Sequence, residues 1–131
     1  MTALLPRRLV AEALGTLLLV GCVIGSGILT DRLSADDGVA LLGNTLATGA
    51  MLAVLILALG PVSGAHFNPA VTLVMALRRE LTLVDAVAYT VAQCIGGVLG
   101  AMLAHAMFDR SLLEVSTHVR EGFGPVLSEG V

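Results

Sequence analysis

Three long apolar stretches, separated by short polar segments, dominate the hydrophobicity pattern of the chain. They cover about residues 9–29, 39–59 and 81–108, and few charged residues lie within them. A helix needs about 20 consecutive, mostly apolar residues to cross the hydrocarbon core of a bilayer. The pattern therefore predicts an all-α membrane protein with three transmembrane helices.

The apolar pattern is interrupted between the second and third stretches, over about residues 61–78. We expect Gly60 and Pro61 to end the second helix, because proline lacks an amide hydrogen and has a fixed φ. The polar run that follows gives way to a short apolar segment, 70–77. At about 1.5 Å per residue, that segment spans only half of the hydrocarbon thickness. We therefore predict a re-entrant loop and half-helix that leave the membrane on the side where they enter.

This interruption is informative because lipid does not tolerate irregular backbone. Unpaired N–H and C=O groups persist at membrane depth only where protein encloses them or where they line a water-filled cavity. Asn68 and Pro69 are residue types favoured at the N-cap and first position of a helix. We expect the Asn68 side-chain oxygen to accept a hydrogen bond from the amide of Val71 or Thr72, which leaves its NH₂ group as a donor. The segment thus indicates a transmembrane pathway.

Composition supports a membrane location and excludes several functions. Of the 131 residues, 56% are hydrophobic and 13% are charged, and the mean hydropathy is +0.95. The net charge of −3 is small and scattered, so we expect no nucleic-acid partner. The sequence has no nucleophile with a nearby base, no metal-ligand spacing and no phosphate-binding loop. We therefore predict no enzymatic activity, no metal and no cofactor.

The histidines and cysteines offer one alternative, a helical electron-transfer subunit with a haem or metal site. His66 lies in the interrupted segment, whereas His105 and His118 lie near or beyond the end of the third span. The histidines do not converge, which disfavours this interpretation. Cys22 and Cys94 lie in separate apolar spans and are interpreted as packing residues rather than as a disulfide.

The basic residues predict the orientation in a cell or inner membrane. Short cytoplasmic loops carry an excess of lysine and arginine. Arg7 and Arg8 precede the first span, and Arg78 and Arg79 follow the half-helix. Both pairs are cytoplasmic if the half-helix enters from that side, so we expect a cytoplasmic N-terminus. Residues 109–131 are then predicted to form an external loop and the start of a truncated second repeat.

Three segments carry a resemblance to a known family. They read Ser63-Gly64-Ala65-His66-Phe67-Asn68-Pro69-Ala70-Val71-Thr72, Ala11-Glu12-Ala13-Leu14-Gly15-Thr16, and Tyr89, Ala92-Gln93 and Gly96-Gly97. In order and spacing, residues 1–108 resemble the first half of the aquaporin, or major intrinsic protein, family. The resemblance implies an aquaporin-like half repeat of three transmembrane helices and one re-entrant half-helix. It also implies a six-span channel of two inverted repeats, passing water or small uncharged solutes, and assembly as a tetramer.

Carried onto this sequence, the resemblance assigns the interrupted segment to the lining of a pore. Asn68 would be the pore-facing donor, and the residues after it would form the tip of the half-helix. The carbonyl oxygens before it would form a ladder of acceptors along which water-like solutes exchange hydrogen bonds. The implied pore-lining residues are Gly64, Ala65, His66, Asn68, Pro69 and Ala70.

Three residues outside this segment are also implied. Thr48 falls where the second span contributes to the narrow selectivity filter, at which water-selective family members tend to carry a bulky aromatic residue. A threonine suggests a wider opening, for glycerol-like solutes or metalloid hydroxides. Glu12 and Gln93 would be buried partners that tie the loop in place. The alternatives are a proton-relay or substrate carboxylate for Glu12 and an ordinary interhelical hydrogen bond for Gln93.

Two functional hypotheses follow. The first is a passive channel, or channel half, for water and small neutral solutes in the lipid bilayer, completed by a second half-repeat or a full-length homologue. The second is a truncated membrane fragment that conducts nothing, or that serves as an assembly partner of a full-length channel. The sequence has one Asn-Pro-Ala motif, and this motif is compatible with both hypotheses.

Overall fold

The chain forms four α-helices within residues 3–114 and residue 124, the residues that the computed structural model describes. The helices are α1 (Leu5–Leu33), α2 (Asp37–Ser63), α3 (Pro69–Leu77) and α4 (Leu83–Met107). Helices α1, α2 and α4 are long and apolar enough to cross a membrane. The prediction of an all-α fold with three spans and one short helix is confirmed. Most of the predicted external loop and second-repeat start, including His118, lies outside the described residues.

The ends of the helices differ from the predicted spans. Helix α1 covers residues 5–33 instead of 9–29 because polar residues at both ends continue the helix beyond its apolar part. Helix α2 begins earlier than predicted because Asp36 caps it, accepting hydrogen bonds from the amides of Gly38 and Val39. Helix α4 begins at Leu83 because Thr82 caps it through the amide of Asp85.

The expectation that Gly60 and Pro61 end α2 is wrong. Pro61 lies inside the helix, which continues to Ser63. Proline removes only its own N–H donor, so near the end of a helix it costs one hydrogen bond without ending the helix. The helix ends instead at Gly64, whose φ of 93° is in the left-handed region and whose amide still donates to the carbonyl of Gly60.

Helix α1 is the centre of the packing. It packs against both α2 and α4, and α3 packs against α4; within the described part of the chain, α2 and α3 do not pack against each other. The contact between α1 and α4 is close because α4 presents glycines to it. A Cβ atom at Gly96 or Gly100 would overlap the carbonyl oxygen of Ala13 or Leu17. Small residues at such contacts let helix backbones approach each other in membranes.

Candidate functional site

Residues 64–68 connect α2 to α3 through an unusual backbone. Gly64, Ala65 and Phe67 have φ values of 93°, 53° and 49°. Residues with a Cβ atom disfavour this region, and each such residue costs on the order of 1–3 kcal/mol unless the surrounding structure compensates. The neighbouring helices must therefore hold this segment, which we call the pore loop after the role that the sequence predicts for it.

The Glu12 carboxylate on α1 is the main hydrogen-bond acceptor for the pore loop. Its Oε1 atom accepts from the Ser63 hydroxyl at 2.6 Å and from the His66 amide at 3.0 Å. Its Oε2 atom accepts from the Phe67 amide at 2.7 Å and from Gln93 Nε2 at 2.8 Å. The side chain is fully buried, and these donors occupy the acceptor positions that a carboxylate offers. This geometry favours the structural interpretation of Glu12 over a substrate carboxylate.

Gln93 links Glu12 to the half-helix. Its Nε2 atom donates to Glu12 Oε2 and, at 2.9 Å, to Thr72 Oγ1. If the Gln93 amide were rotated by 180°, Oε1 instead of Nε2 would lie against the Glu12 carboxylate. The two acceptors, Glu12 Oε2 and Thr72 Oγ1, therefore determine the orientation of the amide. Gln93 Oε1 is buried and accepts no hydrogen bond from the described residues. The amide therefore acts here as a donor bridge between α1 and α3.

Thr72 connects this bridge to His66. Its hydroxyl lies 3.1 Å from the Asn68 carbonyl and 3.1 Å from His66 Nδ1, and it accepts from Gln93. A hydroxyl has one proton, so all three contacts are hydrogen bonds only if Thr72 donates to Asn68 and His66 Nδ1 donates to Thr72. In that tautomer His66 Nε2 is an acceptor, and it lies close to Gly64.

Phe67 anchors the loop to α1 through its ring as well as its amide. The side chain is buried, with 4% of its surface exposed. Its ring packs on Gly15, where an added Cβ atom would overlap the ring. The missing side chain of Gly15 thus leaves space for the ring on α1, one turn from Glu12. The left-handed backbone of Phe67 directs the ring into this space.

A second group of contacts holds the end of α2. The Tyr89 hydroxyl donates to the Ser63 carbonyl at 2.8 Å and accepts from Arg8 Nε at 2.7 Å. Arg8 also pairs with Asp85, at 3.3 Å. Ser63 is thus held through its carbonyl by Tyr89 and through its hydroxyl by Glu12.

The tip of the half-helix is exposed. Asn68 is the N-cap of α3, but its Oδ1 atom accepts from the amide of Ala70 at 2.8 Å, not from Val71 or Thr72 as expected. The Thr72 amide is already bonded to the Asn68 carbonyl in the first helical turn. Asn68 Nδ2 and the carbonyl oxygens of residues 64–66 form no hydrogen bond with the described residues. Asn68, Pro69 and Ala70 are all exposed.

Thr48 lies apart from these contacts. It is half-buried on α2, and its hydroxyl donates to Asn44 Oδ1 at 3.1 Å. Asn44 Oδ1 also lies 3.2 Å from the hydroxyl of Ser26 on α1. Because α2 does not pack against α3 in the described part of the chain, the structure does not bring Thr48 together with the pore loop. Its role at a selectivity filter stays a prediction.

Four residues that contact the loop or the side chains around it were not identified as site residues from the sequence. They are Arg8, Gly15, Ser63 and Asp85. A signal for them exists in the spacing. Residues four apart share a helix face, and Asp85, Tyr89 and Gln93 are spaced in this way along α4. On α1 the same spacing relates Arg8 to Glu12. Polar residues repeated at helical spacing inside an apolar span predict a buried polar contact between two helices.

The described residues include no group of three or more His, Cys, Asp or Glu side chains placed to hold a metal ion. His66 contacts Thr72, whereas His105 contacts the Ser111 carbonyl near the end of α4. Both cysteines are free thiols. The polar groups gathered at the pore loop are hydrogen-bond donors and acceptors.

The chain is similar to a known protein family over nearly its whole length. The family model "Major intrinsic protein" matches residues 2–130. The chain is 59% identical to Aquaglyceroporin AqpS of Rhizobium meliloti (strain 1021) over 127 residues, which cover 97% of this chain and 54% of that protein. It is 44% identical over 101 residues to Probable aquaporin PIP2-8 of Oryza sativa subsp. japonica, covering 77% of this chain and 36% of that protein. With Probable aquaporin PIP2-5 of Arabidopsis thaliana the identity is 43% over 107 residues, or 76% and 37% of the two chains.

The chain thus spans between about a third and a half of the length of these relatives. The family match extends over nearly all of the chain and includes the pore loop, the Glu12 carboxylate and the glycines between α1 and α4. The family consists of channels and not of enzymes. This chain belongs to the major intrinsic protein family, and it is an integral membrane protein with an aquaporin-like half repeat.

Proposed function

We propose that this chain forms half of a passive transmembrane channel for water and small uncharged solutes. The observation that carries the proposal is the arrangement at the tip of α3. The Asn68 NH₂ group is exposed there and forms no hydrogen bond with the described residues, and the carbonyl oxygens of residues 64–66 precede it. A water molecule that passes this point can accept from Asn68 and donate to the carbonyls.

The charge distribution at the tip favours neutral solutes. Peptide dipoles in a helix place roughly half a positive charge at its N-terminus. The exposed N-terminus of α3 begins at Pro69, directly after Asn68. This positive end disfavours cations and orients a dipolar solute by its oxygen. We infer that the pore-lining set is Gly64, Ala65, His66, Asn68, Pro69 and Ala70.

We infer that the solutes include ones larger than water, such as glycerol or metalloid hydroxides. Thr48 supports this inference because its side chain is small and partly polar. Its hydroxyl proton is directed to Asn44, so a solute would meet its methyl group and oxygen lone pairs. The relative with 59% identity is named an aquaglyceroporin, which agrees with a filter wider than that of a pore for water alone.

A second repeat completes the pore in this proposal, whether it lies in the same polypeptide or in another chain. At about 1.5 Å per residue, α3 reaches only to the middle of the membrane. Its tip is exposed, and α2 does not pack against it in the described part of the chain. The open side between α2 and α3 is where a second half-helix would fit. Assembly of complete channels into tetramers is a further proposal that rests on the family alone.

We also propose that the N-terminus is cytoplasmic. Arg8 and Glu80 line one cavity, so the start of α1 and the segment between α3 and α4 are at the same end of the molecule. The pairs Arg7 and Arg8, and Arg78 and Arg79, are therefore on one side of the membrane. The excess of basic residues in cytoplasmic loops favours that side as the inner one.

Stopped-flow light scattering of liposomes tests the proposed function. The chain is reconstituted alone and together with a second repeat taken from the aquaglyceroporin relative, and swelling is followed in water and glycerol gradients. We expect solute flux above that of protein-free liposomes when both halves are present. Asn68→Leu should abolish this flux, whereas Thr45→Leu, which places the same side chain at an exposed position of α2, should not. No flux with both halves inserted would support the non-conducting fragment instead.

A further inference from the structure

We propose that Arg8, Asp85 and Tyr89 form a clamp on the Ser63 carbonyl, and that Arg8 is through this clamp a positioning residue for the pore loop. Arg8 would then do more than set the orientation of the chain in the membrane. The effect of the clamp on solute flux rests on the proposed function. Its effect on the order of the loop does not, so the two can be tested separately.

The clamp acts on a backbone group that its own helix no longer satisfies. The last carbonyls of a helix have no amide partner in the next turn. Ser63 is the last residue of α2, and its carbonyl accepts from the Tyr89 hydroxyl at 2.8 Å. Tyr89 is fully buried in α4. A buried hydroxyl therefore replaces the amide partner that the last carbonyl of α2 lacks.

Arg8 determines which way the Tyr89 hydroxyl proton points. Its Nε–H group donates to the Tyr89 oxygen at 2.7 Å, and arginine has no acceptor. The phenolic proton must therefore point away from Arg8, and the partner on that side is the Ser63 carbonyl. Without Arg8, the Tyr89 oxygen loses its donor, and the Ser63 carbonyl alone orients the hydroxyl.

Asp85 in turn holds the guanidinium in place. Arg8 Nη1 lies 3.3 Å from Asp85 Oδ2, and the guanidinium carbon lies 5.0 Å from the centre of the Tyr89 ring. Because the guanidinium is planar, contacts through Nε, Nη1 and its face fix both its position and its tilt. A lysine ammonium at this position would be a single point charge and would not reproduce this set of contacts.

The clamp reaches the pore lining through the Ser63 side chain. The Ser63 hydroxyl accepts from the amide of Ala65 at 3.1 Å and donates to Glu12 at 2.6 Å. Ala65 is one of the residues with a positive φ. A rotation of the Ser63 peptide would therefore displace the Ala65 amide, and with it the carbonyl groups proposed to bind solute.

The outer part of the clamp is accessible from water. Arg8 and Asp85 keep 22% and 24% of their side-chain surface exposed. Together with Ser63, Gly64 and Thr82 they line a cavity of about 330 Å³. The order of the pore loop is thereby tied to a partly exposed ion pair at the mouth of the proposed pore.

Amide hydrogen exchange measured by mass spectrometry tests the clamp without requiring conduction. The chain is placed in lipid nanodiscs, and exchange is followed in peptides that cover residues 62–68. We expect Arg8→Gln and Tyr89→Phe each to accelerate loop exchange by roughly fivefold, the effect of losing one buried hydrogen bond. Exchange in the middle of α4 should be unchanged, because Tyr89→Phe keeps the ring. Arg8→Lys should not restore the slow exchange.

The double variant separates positioning from general destabilisation. If Arg8 acts through Tyr89, Arg8→Gln adds nothing to the loop exchange of Tyr89→Phe, and neither does Asp85→Asn. Arg7→Gln is the matched control, since it removes the same charge from the neighbouring residue, which is exposed and forms no ion pair with the described residues. Additive effects in the double variant, or equal acceleration by Arg7→Gln, would overturn the proposal.

A flux measurement on the two-half assembly then links the clamp to permeation. With loop order disturbed by Tyr89→Phe, we expect lower water and glycerol flux than in the parent assembly, and the same flux for Tyr89→Phe with and without Arg8→Gln. If the parent assembly conducts and Tyr89→Phe accelerates loop exchange without changing the flux, the clamp orders the loop only. That result would overturn its role in permeation. A parent assembly without flux would contradict the proposed function and leave the exchange result standing.

Discussion

The two sides of the molecule differ in how they satisfy their polar and apolar groups. On the side of α1 and α4, polar side chains such as Glu12, Tyr89 and Gln93 are buried and joined by hydrogen bonds. On the side of α2 and α3, large apolar side chains are exposed, for example Leu57 at 80% and Leu77 at 74%. The contact between α1 and α4 is a completed polar core. Helices α2 and α3 share no such contact in the described part of the chain, and their apolar surface, like the outer faces of α1 and α4, needs lipid or protein to cover it.

This difference between the two sides shows which contacts compensate the backbone strain of the pore loop. Unpaired amides are costly in hydrocarbon, and the loop amides of His66 and Phe67 are both bonded to Glu12 in the completed core. The groups left over, the Asn68 NH₂ and the loop carbonyls, form no hydrogen bond with the described residues. In the proposed channel, support of the loop and contact with solute are thus assigned to different groups of one short segment.

Removal of the Glu12 carboxylate should lower the free energy of unfolding more than any other change considered. Glu12→Ala leaves four donors without an acceptor in a buried site, which we expect to cost at least about 3 kcal/mol of the free energy of unfolding. Reversible unfolding by sodium dodecyl sulfate in bicelles measures this change. The control is Glu80→Ala, since Glu80 pairs with Arg78 at the exposed surface, where an ion pair contributes about 0–1 kcal/mol. Equal losses in the two variants would contradict the account.

Two leucines on α2 compare the covered and uncovered faces of one helix. Leu55 is 4% exposed and Leu57 is 80% exposed. We expect Leu55→Ala to lower the free energy of unfolding by about 2 kcal/mol through lost packing, and Leu57→Ala by less than about 0.5 kcal/mol. The same bicelle assay distinguishes them. A larger loss at Leu57 would mean that the exposed face of α2 is covered even without a second repeat.

The glycines test how close α1 and α4 must be. An alanine at Gly96 would overlap the Ala13 carbonyl oxygen, whereas nothing lies within 4 Å of a Cβ atom at Gly49. Overpacking of this kind costs about 1–3 kcal/mol, so we expect Gly96→Ala to destabilise and Gly49→Ala to be tolerated. If both variants unfold at the parent's detergent concentration, the contact between α1 and α4 is looser than described.

Asn68 should combine a small effect on stability with a complete loss of flux. Asn68→Leu removes a helix cap, which contributes about 1 kcal/mol, and the residue is exposed. The bicelle assay should therefore find a nearly normal fold in a variant that the liposome assay finds inactive. A loss of stability as large as that of Glu12→Ala would place Asn68 in the support of the loop instead of its solute-contacting side.

Much of the fold could be predicted from the sequence because membrane spans depend on length and hydropathy alone. The half-helix was predictable because Asn68 and Pro69 are strong start signals and 70–77 is too short to span. The end of α2 was not, because Pro61 in a last turn and the left-handed Gly64 compete as stop signals. Which of the two wins depends on the contacts of Ser63, and those lie far away in the sequence.

The candidate site was predictable where a residue type has few alternatives. The family resemblance implied Glu12 as a buried partner of the loop, in agreement with the need of a carboxylate in an apolar span for partners. The Arg8–Tyr89 contact was not predictable, because it depends on how α1 and α4 are aligned along their axes and joins residues 81 positions apart. The Ala70 amide as the partner of Asn68 was predictable, since a cap residue accepts from the second or third helical amide, here Ala70 or Val71; the expectation of Val71 or Thr72 was one residue too late.

Thiol accessibility tests the central claim, that Asn68 faces water at mid-membrane while its support is sealed. Asn68→Cys and Thr72→Cys are each made with both native cysteines, Cys22 and Cys94, replaced by alanine. Each variant is labelled in the two-half assembly in liposomes with a small charged thiosulfonate. A thiolate forms only where water reaches it. The account predicts fast labelling at residue 68 and protection of residue 72, which is 1% exposed. Protection of residue 68 as complete as that of residue 72 would contradict it.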